Sequence, residues 1–257
     1  MPVLFAGHGS PMNAIEETQF GNALRQLGSA LPAPQSILMI SAHWQTVGPQ
    51  VVASPRPRII HDFYGFPKAL FDFDYPVAGA PALAHRIREL APSVHLTEEW
   101  GLDHGSWSVL AHLFPKAEIP VTQLSLNQSF SYAQHFEFAK SLRALRDENV
   151  LIVASGNIIH NLRLLQQTHS LTEAPEWAQA FDRDVAEAVL ARDFEKLVNF
   201  EKAWPKEAAL AVPTPEHYVP LLYAAALAGN DDDVSFPLTG FQMGAISMRS
   251  VLWQATK

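Results

Sequence analysis

The chain has 257 residues, 48% of them hydrophobic, and its 18 basic against 26 acidic residues give a formal net charge of −8. That apolar content can bury a large core, and without a basic stripe the charge balance argues against nucleic-acid binding. Cysteine is absent, which excludes disulfides, thiolate metal sites and thiol nucleophiles and fits a reducing, cytoplasmic setting.

The opening MPVLFAGHGSP lacks a charged leader and reads as a first strand at 2–6, not a signal peptide. A helical pattern follows at 14–31, then an apolar run at 37–41, and 51–75 reads as an excursion or hairpin. Helical patterns at 80–90 and 107–114 lead to a run at 121–126. The pattern at 132–145 places Phe136, Ala139, Leu142 and Leu145 on one helix face. Then come a run at 150–154, a helix at 176–190, a run at 208–212, a helix at 218–228, and late strands at 234–237 and 245–253. Each short apolar run fits a buried strand, and alternation with helices predicts an α/β fold. We expect one domain over 1–257, a largely parallel mixed sheet flanked by helices. No composition break marks a linker, no repeat is visible, and the longest apolar stretch, near 221–229, falls far short of the roughly 20 residues that span a bilayer.

Histidines punctuate the strand ends. His8 follows the first run, His43 the second, His160 the run at 150–154 and His217 the run at 208–212. In open α/β sheets the ligand crevice lies beyond the carboxyl ends of the strands, so these four imidazoles are expected to converge on one rim. Gly7 and Gly9 allow a tight path around His8. Ser10-Pro11 and Thr214-Pro215 read as helix caps followed by proline, placing His217 in a first helical turn. Histidine is a common ligand of iron or zinc. A strand-end histidine taken singly is more often a surface hydrogen-bonding residue, and the long separations form no local metal motif.

His104 sits in the turn Gly101-Leu-Asp-His-Gly-Ser-Trp107, ahead of a helix that Ser106 is expected to cap, and is placed for proton transfer. His85, His112 and His135 fall within helical patterns and read as packing residues. His95 and His169 have no evident partners, and His61 is equally a pocket wall or a structural residue. Glu216 is a possible carboxylate ligand, but complementing a helix dipole is the preferred reading. Arg163 is a weak candidate for a substrate carboxylate. Trp44, Phe63, Tyr64, Trp107 and Tyr218 are candidates for stacking on an aromatic ring or for core packing. No Gly-x-Ser-x-Gly elbow or phosphate-binding glycine loop is present.

Taken together, the segments at 8–11, 41–44, 101–107, 155–161 and 213–218 resemble the LigB-like class III extradiol dioxygenases, most closely their 4,5-DOPA dioxygenase branch. The resemblance implies a mononuclear metal site, Fe(II) for ring cleavage with Zn(II) as another possible occupant. It implies His8, His43 and His217 as ligands, His160 as a ligand or an acid–base residue, and His104 as a proton-transfer residue. The implied partners are a small catecholic substrate and O2, with ring opening to a semialdehyde acid, in a monomer or small homo-oligomer. Some relatives use a glutamate where His217 stands. Plant members often carry a histidine at the place of Val212, so the resemblance to their DOPA specificity is incomplete. Two other readings stay open: a zinc-dependent hydrolase, and a non-catalytic partner-binding homologue.

Overall fold

Eight strands form the main sheet of the computed structural model, which describes residues 1–168 and 170–256. The strands are β1 (Val3–Gly7), β2 (Ser36–Thr46), β3 (Gln50–Val52), β4 (His95–Thr97), β5 (Val121–Asn127), β6 (Val150–Gly156), β7 (Asp232–Leu238), the short pair β8 (Phe241–Gln242) and β9 (Ile246–Ser247), and β10 (Ser250–Ala255). Their order is β4-β3-β5-β2-β6-β1-β10-β7, with β8 and β9 paired separately. The centre, β5-β2-β6-β1, is parallel throughout; β10 and β7 add an antiparallel edge, and β3 runs antiparallel to β5. The expected largely parallel mixed sheet is therefore what forms.

Helices cover both faces because the central strands are apolar on both. Along β1, Val3 and Phe5 face one core while Leu4 and Ala6 face the other. Residues of β6 divide the same way, Val150, Ile152 and Ala154 against Leu151 and Val153. The helices are α1 (Gln19–Ala30), α2 (Lys68–Phe71), α3 (Pro81–Leu90), α4 (His104–Leu113), α5 (Tyr132–Lys140), α6 (Glu176–Leu190), α7 (Phe194–Val198), α8 (Phe200–Ala203), α9 (Pro205–Ala211) and α10 (Val219–Leu227). The second core holds α1 and α4; the first holds α3, α5, α6 and α10.

Several expectations need correction. The run at 208–212 is not a strand: Pro205 starts α9, and the alanine-rich sequence that follows favours helix. The stretch 14–31 divides into a 3-10 turn, Pro11–Ala14, and α1, capped by Thr18. The 51–75 region is an excursion, not a hairpin, with α2 inside it. Asp103, not Ser106, caps α4: its carboxylate accepts from the Ser106 N–H, and His104 is the first helical residue. Thr214 and Pro215 do not open α10. They form a turn before it, in which Tyr218 and Val219 donate to the Pro215 carbonyl. The cap expected at Ser10-Pro11 forms. Among the described residues no helix is long and apolar enough to cross a membrane; His169 lies outside them.

Candidate metal centre

His8 leaves β1 on a path held by the neighbouring strand end, with its N–H donating to the Gly156 carbonyl at 3.1 Å. Gly9 takes φ +62°, and a side chain there would strike Gln242 and Met248. His43 lies within β2, not after it, because the strand continues to Thr46. Its pairing with β5 shifts register between Ile40 and Gln45, which re-aims the side chain. His160 follows β6 and is pinned through its N–H to the Ala211 carbonyl at 2.9 Å. His217 is fixed by its carbonyl, which accepts from the Asn157 N–H at 2.9 Å. A Cβ on Gly156 would come within 2.2 Å of that same carbonyl oxygen, so this crossing needs glycine.

The five rings gather in one place. Centroid separations are 5.1 Å for His8–His43, 5.3 Å for His8–His217 and 4.9 Å for His43–His217. His104 packs against His43 at 3.9 Å, and His160 stacks on His217 at 3.5 Å with planes 7° apart. His8 Nε2 faces His43 Nε2 at 3.1 Å. The ligand-capable atoms of His8, His43 and His104 lie within 4.8 Å of one another, as do those of His160, Glu216 and His217. One ion with bonds near 2.0–2.1 Å holds donors up to about 4.2 Å apart, so the spacing is of the right order for a shared cation.

Hydrogen bonding leaves the Nε2 atoms of His8 and His217 free of hydrogen. His8 Nδ1 meets the Ser155 hydroxyl at 2.9 Å, and that hydroxyl donates to the Gly105 carbonyl at 2.5 Å. Nδ1 must then be the donor, leaving a lone pair on Nε2. His217 Nδ1 bonds to the Glu216 carboxylate at 3.1 Å, while its Nε2 is buried with no partner. The pKa values of His8, His43 and His217 fall well below 6.5, first through burial and then through neighbouring imidazoles, His43 for His8, His104 for His43 and His160 for His217. These rings are neutral at pH 7 and able to coordinate.

The model of the catalytic LigB subunit of aromatic ring-opening dioxygenases matches residues 4–248. The chain belongs to the LigB family. It is 44% identical to the 4,5-DOPA dioxygenase extradiol of Escherichia coli, over 98% of this chain and 94% of that protein. With the enzyme of the same name from Portulaca grandiflora it shares 35% identity, over 88% and 85% of the two chains. The solved structure of an uncharacterized protein from Escherichia coli K12 superposes with a TM-score of 0.84 at 40% identity, covering 98% and 99%. This LigB-family chain is thus an extradiol ring-cleavage dioxygenase of the oxygenase class, and its histidine group is one that can hold a metal.

Two acidic residues of this LigB-family site gave little signal in the sequence. Asp62 accepts the His104 backbone N–H at 2.9 Å, and its other oxygen lies 3.0 Å from His104 Nδ1 and 3.3 Å from His43 Nδ1. Burial raises the Asp62 pKa, but His104 and His43 outweigh it and hold the carboxyl below the ordinary value. Asp103 accepts from Ser41 at 2.6 Å and from Gln123; burial, then the Asp62 charge, lifts its pKa to about 6. Only the alternation of side chains at 60–64 could have pointed to Asp62.

The remaining candidates disperse. His61 Nε2–H donates to the Phe73 backbone oxygen at 3.0 Å and so anchors a loop. His112 and His135 are packing residues as expected, bonded to the Asn13 carbonyl and the Tyr223 hydroxyl. Arg163 is exposed. Trp107 and Tyr218 are fully buried core, Trp44 stacks on Trp100, and Tyr64 faces solvent. Phe63 lies 5.7 Å from the His104 ring and, unlike the fully buried Trp107 at 6.5 Å, is partly exposed. Glu216 does not complement a helix dipole as preferred; it orients His217.

Proposed function

We propose that this protein opens a catecholic, DOPA-like ring in an iron-dependent extradiol reaction, with His8, His43 and His217 holding the ion. The observation that carries this reading is the buried, partnerless Nε2 of His217 among rings whose own Nε2 atoms already face one another at 3.1 Å. A buried polar atom without a partner is costly, and a cation supplies the partner. When bound, Fe(II) would acidify the catechol hydroxyls and allow O2 to react with the ring. Zn(II) fits the same donors.

His104 and His160 are the proton-transfer residues in this reading. The nitrogen lone pair that binds a metal lies in the imidazole plane, and the His160 and His217 rings are nearly parallel with centroids 3.5 Å apart. Stacked rings cannot both aim in-plane lone pairs at one ion about 2.1 Å away, which favours His160 as an acid–base group over a ligand. Burial lowers its pKa to about 4, opposed by Glu216, so it enters the reaction neutral and able to accept a proton. His104 rests against the His43 ring with its Nδ1 near Asp62, where it can take a hydroxyl proton and return it to the opened product. Phe63 offers a face to the substrate ring. Expected surroundings are the cytoplasm, as a monomer or small homo-oligomer.

The test is to strip the protein of metal, reload it anaerobically with Fe(II) or Zn(II), and follow O2 uptake with a catechol panel. Uptake with iron and a yellow product support the reading. Ester or amide hydrolysis with zinc and no uptake with any catechol would replace it.

A further inference from the structure

Behind the imidazoles, the first turn of α4 is keyed to three strands through side chains that never reach solvent. Asp103 Oδ1 accepts the Ser41 hydroxyl of β2 at 2.6 Å and the Ser106 N–H of α4 at 3.2 Å. Its Oδ2 accepts the Nε2–H of Gln123, on β5, at 2.5 Å. The Gln123 oxygen in turn accepts the Ser106 hydroxyl at 2.7 Å. Ser41, Asp103, Ser106 and Gln123 are all fully buried. The third strand is β6, whose Ser155 hydroxyl donates to the carbonyl of Gly105. Resting on the proton-transfer role proposed for His104, we infer that Asp103 is a positioning residue of the ring-opening reaction, whose carboxylate fixes the His104 ring against His43.

Two features set this carboxylate apart from an ordinary helix cap. A cap needs one acceptor oxygen, and serine, threonine or asparagine serves as well as aspartate. Here the second oxygen reaches across to β5, and the side chains bonded to the carboxylate are a serine and a glutamine, with no lysine or arginine. A charge buried on hydrogen bonds alone is a costly arrangement. The other feature is direction. An ionised aspartate only accepts, which turns the Gln123 nitrogen towards it and the Gln123 oxygen towards Ser106. The ring of bonds through Asp103, Gln123 and Ser106 therefore closes in one sense only, and it holds the start of α4 in both height and rotation over β2 and β5. His104 is the first residue of that helix, with its ring packed on His43 at 3.9 Å. Ser41 also accepts the His43 N–H at 3.2 Å. One carboxylate thus refers the proton-transfer ring and the ligand ring to the same point. A misplacement of about 1 Å at a reacting group can cost about 100-fold in rate.

Exchanging the two polar groups tests this. In Asp103→Asn the new amide nitrogen faces that of Gln123, and turning the Gln123 amide over takes the acceptor away from the Ser106 hydroxyl. With the catechol that the parent consumes fastest, kcat for O2 uptake by the Fe(II)-loaded variant should fall by about 10–100-fold. The KM for that catechol and the Zn(II) affinity should each stay within about threefold of the parent, since the three proposed ligands are untouched. Combining Asp103→Asn with Gln123→Glu sets a donor opposite an acceptor at every contact again, and kcat should return to within about threefold of the parent. Should Asp103→Asn not fold, Gln123→Met breaks the same link from β5 at similar volume and carries the same expectations for kcat, KM and Zn(II). An unchanged kcat, a loss of Zn(II) affinity as large as the loss of kcat, or a double variant no faster than Asp103→Asn overturns the inference. His104→Gln separates it from the reading beneath it. If that variant keeps its kcat, the proton-transfer role falls and the inference with it; if it loses kcat while Asp103→Asn does not, the inference falls alone.

Discussion

Replacing Ser155 with alanine tests whether the site is held by what stands behind the ligands. Ser155 is fully buried, and its hydroxyl links His8 Nδ1 at 2.9 Å to the Gly105 carbonyl at 2.5 Å. Ser155→Ala leaves the buried His8 Nδ1–H without an acceptor, whereas the Gly105 carbonyl keeps its place in the hydrogen-bond ladder of α4. At about 1–3 kcal/mol for such a group, the loss of folding stability should be of that size. The second effect is on the metal. Without an acceptor at Nδ1, the His8 proton is free to move to Nε2 and occupy the lone pair that faces His43. Loss of such an outer hydrogen bond typically weakens metal binding by about 10–100-fold. Urea denaturation of the metal-free protein measures the first, and Zn(II) competition against a chromogenic chelator measures the second. If Ser155→Ala bound zinc as tightly as the parent and kept its stability within about 0.5 kcal/mol, the assigned tautomer of His8 would be wrong.

Other variants probe other parts. His104→Gln should lower kcat by roughly 10²–10⁴-fold while Zn(II) affinity stays within a few-fold; an equal collapse of both would make His104 a ligand. Gly156→Ala forces a Cβ to within 2.2 Å of the His217 backbone oxygen, and thermal melts followed by circular dichroism should show a loss of about 1–3 kcal/mol. Burial lowers the His135 pKa from its ordinary 6.5 to about 4 in the folded state. The unfolded chain therefore takes up a proton below pH 6.5 that the folded chain refuses, so stability is intact above that value and declines towards pH 4. The full effect is about 3 kcal/mol. His135→Phe should flatten that decline in urea unfolding followed across pH, and an unchanged slope would count against burial of the ring.

The strand–helix alternation was readable because buried parallel strands leave continuous apolar runs, as at β1, β5 and β6. It misled at α9, where the apolar residues are alanines behind a proline and length alone could not separate a strand from a helix. The convergence of His8, His43, His160 and His217 followed from a single rule about strand ends, although His43 sits inside β2 and His217 before α10, not in it. What could not be read was the set of partners. Asp62 reaches His104 from 42 positions away and Ser155 reaches His8 from 147; no local pattern encodes such contacts, which come from packing one loop over another. Glu216 was visible but misjudged, since its role depends on the turn that replaced the expected helix start.

What separates four of the five imidazoles chemically is what each Nδ1 touches. His8 has a neutral hydroxyl and His217 a carboxylate, each at hydrogen-bonding distance and each leaving Nε2 bare. His43 and His104 share one oxygen of Asp62, 3.3 and 3.0 Å away, and the His104 contact lacks the alignment of a hydrogen bond. A single carboxylate oxygen so placed stabilises a proton on either ring without locking it in position. His8 and His217 are thereby fixed as lone-pair donors, which suits the ligand role proposed for them, whereas the loose contact of His104 with Asp62 suits its proposed role in proton transfer. The same fold positions both kinds because the rings come from different elements, His8 after β1, His43 within β2, His104 at the start of α4 and His217 before α10, and each meets different neighbours. In the proposed assignment, ligand and acid–base residue are distinguished by their surroundings, not by their residue type.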